Sequence, residues 1–77
     1  MAKIDDYVKD LGDALRTRDI DEFKRFYLKY RGEMPPIDDN ALEVSMHKMI
    51  CNRTDMPRDM VMDSMVWLAE RGFSPRI

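Results

Sequence analysis

Apolar side chains return every three or four positions in four separate stretches of this chain, and nowhere do they alternate over a strand-length run. At 3.6 residues per turn, that spacing puts them on one face of an α-helix. Four such stretches in 77 residues predict an all-α fold: a compact four-helix domain, a helical hairpin followed by a second helix pair, in one unit over residues 1–77.

The first stretch covers about residues 2–16. Ile4, Tyr7, Val8, Leu11 and Leu15 share one face, opposite Asp6, Lys9, Asp10 and Asp13. Gly12 sits within it, at a cost of about 1 kcal/mol relative to alanine; it either admits a close helix crossing or is merely tolerated. The second stretch runs from about Asp19 to Arg31. Asp19, with Glu22 three residues on, has the form of a capping box. Ile20, Phe23, Phe26, Tyr27 and Tyr30 make an aromatic face, and Gly32 is placed to end the helix in a left-handed conformation. The break near Thr17-Arg18 is short, so the two helices are expected to be antiparallel neighbours.

Pro35-Pro36 stops helix formation and stiffens the connection that follows. A third helix is expected from Asp38 or Asp39 to about Asn52, with Ile37 and Leu42 as a hydrophobic staple around an Asp38 cap. Leu42, Met46, Met49 and Ile50 form its main face, while Val44 and Cys51 fall on the other side. Apolar residues on two sides mark it as the central helix. A fourth helix follows Thr54-Asp55-Met56-Pro57 and ends at Gly72, with Phe73 packing back on Leu68. Its core stripe is expected to be Val61, Met65, Leu68 and Ala69, flanked by Met62 and Val66.

Composition narrows the function classes. The chain is 44% hydrophobic and 36% charged, too apolar for a disordered tail and too charged for a membrane span. Thirteen basic and fifteen acidic residues leave a net charge of -2, without the basic excess of a dedicated polyanion binder. The basic residues concentrate in residues 16–31, which hold six of them against three acids. A single cysteine, Cys51, forms no internal bridge, and the opening MAKIDDYVKD has no signal-type apolar run, so a cytoplasmic location is expected. Asn52-Arg53-Thr54 matches the glycosylation pattern by chance on that reading.

Chemistry-bearing patterns are thin. Glu43, His47 and Cys51 at i, i+4, i+8 line up three metal-ligand types, but recognised zinc patterns use other spacings, and no metal or cofactor is expected. Ser45, Ser64 and Cys51 lack an evident base and oxyanion turn, so no catalytic residue is assigned and the chain is read as a non-enzyme. Phe23, Phe26, Tyr27 and Tyr30 suit a core better than base-stacking platforms. As the second helix of a helix-turn-helix, the fourth helix would present Asp59, Met60, Met62 and Asp63, which are not base-reading residues.

Recognition is what remains. Met60 and Trp67, with Met56 and Arg71 nearby, lie off the expected core stripe. They either seal the edge of the core or form an exposed anchor for another protein or a second copy. Arg18, Lys24, Arg25 and Lys29 are the candidate patch for an anionic partner; the alternative function is nucleic-acid binding through the second helix. They do not share one face, which favours a solvated surface.

Overall fold

The computed structural model describes residues 4–34 and 36–76, with side chains from Asp6 onward. The expected roles of the Ile4 side chain and of Pro35 lie outside the described residues. Four helices follow in order: α1 Ile4–Thr17, α2 Ile20–Arg31, α3 Asp39–Cys51 and α4 Arg58–Glu70. There is no strand among the described residues, and no described helix is long and apolar enough to cross a membrane.

Local chemistry sets the helix ends. Asp19 caps α2 by accepting from Asp21 N at 2.9 Å. Glu22 does not close the expected box; it turns to Arg25 at 2.8 Å, while Asp19 N donates to Thr17 Oγ1. Asp38 caps α3 through Ala41 N at 2.7 Å. Gly32, at φ 75°, ends α2, and its N–H donates to Leu28 O at 2.8 Å. At the end of α4, Phe73 N donates to Leu68 O and Gly72 N to Ala69 O, a Schellman ending around Gly72. The Phe73 side chain there is 42% exposed, while Leu68 is fully buried.

α1 and α2 form an antiparallel hairpin across the two residues Arg18 and Asp19. Tyr7 meets Phe26 and Tyr30 at ring distances of 5.2 and 5.0 Å. Asp10 accepts from Lys29 Nζ and Tyr30 Oη. That lowers the Asp10 pKa, through Lys29 first and Tyr30 second, and raises those of both donors.

α3 touches each of the other helices and packs most extensively on α4, so it is the central helix that its two apolar sides predicted. Leu42, Met46 and Ile50 join Ala14, Leu15, Phe23 and Phe26 in the core. Burying these side chains supplies most of the folding free energy, at roughly 25 cal/mol per Å2 of apolar surface. The loop from α3 to α4 is pinned to α1: Arg53 binds Asp55 through two 2.8 Å bonds and reaches Val8 O, and Arg16 also contacts Asp55. Gly12 lies beneath these side chains, where a Cβ would come within 3.1 Å of Arg53 Nη2 and 3.0 Å of Arg16 Nη1 and displace them slightly. Its bareness faces a loop side chain, not a helix crossing. The side-chain amide of Asn52 donates to the carbonyls of Lys48 and Pro75 at 2.7 and 2.8 Å, tying the C-terminal tail to α3.

Candidate functional site

α4 is apolar on nearly every side, so its sequence leaves open which face turns inward. The structure turns it about a quarter turn from the expected stripe, counting about 100° per residue. Ser64 and Leu68 are fully buried, and Met60, Val61 and Trp67 are half-buried beside them. Met65 and Ala69, expected in the core, face solvent together with Met62 and Val66.

His47 on α3 explains this orientation. It is only 7% exposed, and its Nδ1 lies 2.8 Å from Ser64 Oγ. Its ring stacks on Trp67 with centroids 4.2 Å apart, and the Arg71 guanidinium lies 3.9 Å from the centre of the indole. A buried imidazole nitrogen without a partner costs about 1–3 kcal/mol, so the helix presents its one serine to it. The bulkier Met65 then falls on the outside. Burial lowers the His47 pKa, with Arg71 and Arg18 acting in the same direction and Glu43 opposing them. The imidazole is therefore neutral near neutral pH.

This geometry revises the expected anchor. Met56 is a buried residue of the α3–α4 loop that joins the core, and Met60 packs half-buried against the same core. Trp67 and Arg71 form the rim of the His47 site, so Trp67 seals the core edge and does not stand out as an exposed anchor. The other proposed ligands of the His47 line are engaged elsewhere or stand apart. Cys51 Sγ faces Val61 O at 3.9 Å, and burial raises the thiol pKa. No group of three metal-ligating side chains converges among the described residues.

The candidate anionic-partner patch is likewise dispersed. Arg18 pairs with Asp63 at 3.0 Å, Lys24 with Asp39 at 2.7 Å, Arg25 with Glu22 at 2.8 Å and Lys29 with Asp10 at 2.7 Å. Each cation faces its own carboxylate, and the four carboxylates lie on four different helices. A groove of about 250 Å3 between α1 and α2 brings Arg25 and Lys29 together, but Asp10, Asp13 and Glu22 line it too. Such alternation does not build a field of one sign. The aromatics Phe23 and Phe26 are buried in the core, as their spacing predicts.

The surface that sequence reasoning missed is the outer face of α4. Met62 is 53% exposed, Met65 42%, Val66 55% and Phe73 42%, with Ala69 exposed between them. At i, i+3, i+4 and i+7, Met62, Met65, Val66 and Ala69 form one apolar strip on α4, and Phe73 follows beyond the helix end. Other exposed apolar side chains, such as Val8, Leu28, Met34 and Ile37, are distributed over α1, α2 and the connection to α3. The available signal was indirect: His47, on a helix apolar on both sides, needed a polar partner, and Ser64 was the only small hydroxyl on α4. No protein-family model matches the chain, and neither does any curated protein or solved structure.

Proposed function

We propose that this chain is a small protein–protein interaction module, of adaptor or inhibitor type and without catalytic activity, that docks through the outer face of α4. The observation that carries this reading is the strip Met62, Met65, Val66 and Ala69, left exposed at helical spacing on α4. Scattered apolar residues are ordinary on a protein surface, whereas a contiguous strip marks a binding face. Two methionines in it suit a partner groove of irregular shape, because the thioether chain adapts its rotamers. The His47–Ser64 bond and the Trp67 stack hold α4 firmly on α3, so the strip is presented on a rigid element. Nucleic-acid binding has no comparable support, since Lys24, Arg25 and Lys29 of α2 are each paired with a carboxylate. Cytoplasmic action belongs to the same proposal and agrees with a lone thiol that burial makes less reactive.

The test compares wild type with Val66→Glu and Met62→Glu, substitutions at exposed positions that leave the core untouched. A partner retained from lysate by wild type is expected to be lost with both variants, while thermal melting is unchanged. Trp67→Phe is expected to keep the partner. Retention that survives both glutamates, or no retained species at all, refutes the reading.

A further inference from the structure

The strip on α4 has two unlike edges, and the difference points to the charge of what covers it. Counting about 100° per residue, Asp59, Glu70 and Asp63 fall within a single arc of roughly 40° along one edge of the strip. They form an acidic rail about 16 Å long at 1.5 Å rise per residue. The other edge holds Met65 and Gly72, with Arg58 at its N-terminal end. Asp63 is partly neutralised by Arg18, whereas no ion pair to Asp59 or Glu70 occurs among the described residues.

We infer that the partner is an amphipathic helix whose apolar stripe is flanked on one side by Lys or Arg. The inference rests on the docking role proposed for α4 and adds the chemistry of its partner. Apolar side chains at i, i+3 and i+7 of such a helix lie along Met62, Val66 and Ala69. Its basic flank then runs beside Asp59, Asp63 and Glu70, where charge complementarity sets orientation and speeds encounter.

The same rail argues against two other occupants. In an antiparallel pair of α4 helices from two copies, a twofold axis brings identical edges together and sets acid against acid. In a parallel pair, the rail faces Met65 and Gly72, with only Arg58 as counter-charge. An anionic bilayer surface is repelled by the rail, whereas membrane-surface helices carry basic flanks.

The experiment uses two labelled synthetic helical peptides with the same Leu stripe, one flanked by Lys and one by Glu, titrated with the full chain by fluorescence anisotropy. At low ionic strength the Lys peptide is expected to bind about tenfold more tightly, a preference built from several exposed ion pairs. The gap closes near about 1 M salt, where screening falls to about 3 Å. The double variant Asp59→Lys/Glu70→Lys is expected to reverse the order of the peptides. Equal affinity for both peptides, abolished for both by Val66→Glu, removes the basic-partner inference but leaves the docking face standing. Binding of neither peptide removes both. A sedimenting dimer that Val66→Glu dissolves, or capture by phosphatidylglycerol vesicles in place of the Lys peptide, overturns the assignment in favour of those occupants.

Discussion

Replacing Ser64 with alanine removes one oxygen from the fully buried contact between α3 and α4. The two side chains are close in volume, so almost no cavity forms and the loss isolates the hydrogen bond. His47 Nδ1, 2.8 Å from Ser64 Oγ and shielded by Trp67, is left without a described protein partner. An unsatisfied buried polar group costs about 1–3 kcal/mol. A domain of this size holds roughly 3–5 kcal/mol in total, so Ser64→Ala is expected to remove a third or more of its stability. Trp67 is the only tryptophan and stacks on His47, so its fluorescence in a urea titration reports both the site and global unfolding. The midpoint is expected to fall with the slope unchanged. Adding His47→Phe removes the orphaned nitrogen, so the double-mutant cycle is expected to give a coupling of at least about 1 kcal/mol. A Ser64→Ala midpoint equal to wild type, or additive losses in the cycle, refutes the account of why α4 turns Ser64 inward.

Three further outcomes follow from individual contacts. The His47 pKa is lowered on folding from its ordinary 6.5, chiefly by burial. Below pH 6.5 the unfolded chain therefore takes up the proton first. Stability is complete above that pH and declines as pH falls towards the folded pKa, by at most about 1.4 kcal/mol per pH unit; urea midpoints across this range are expected to lose that slope in His47→Phe. Arg18 sits at φ 55°, a left-handed conformation that costs a non-glycine residue about 1 kcal/mol. Its ion pair with Asp63 is largely solvent-exposed and contributes little, so Arg18→Gly is expected to raise the thermal midpoint; a lower midpoint contradicts the strain argument. Leu15 is fully buried among Phe23, Met46 and the rest of the core cluster. Leu15→Ala is expected to cost about 2–5 kcal/mol, nearly all the stability of the domain, and to collapse amide dispersion in a proton–nitrogen NMR spectrum; a well-dispersed spectrum argues against its central place.

Sequence alone determined the helices and most of their ends, because those depend on neighbours within a turn or two. Asp19, Asp38, Gly32 and Gly72 act on backbone groups two to four residues away, and the spacing of Leu15, Phe23, Phe26 and Ile50 needs no partner to be read. The fate of Glu22 was less legible, because Arg25 competes with the cap for the same carboxylate. The orientation of α4 was decided only by tertiary structure. With apolar residues around most of that helix, burying either face removes a similar amount of grease from water, and periodicity cannot choose between them. A single buried imidazole on α3 makes the choice by demanding Ser64 and the flat face of Trp67. It thereby sends Met62, Met65 and Val66 outward, turning expected core into available surface.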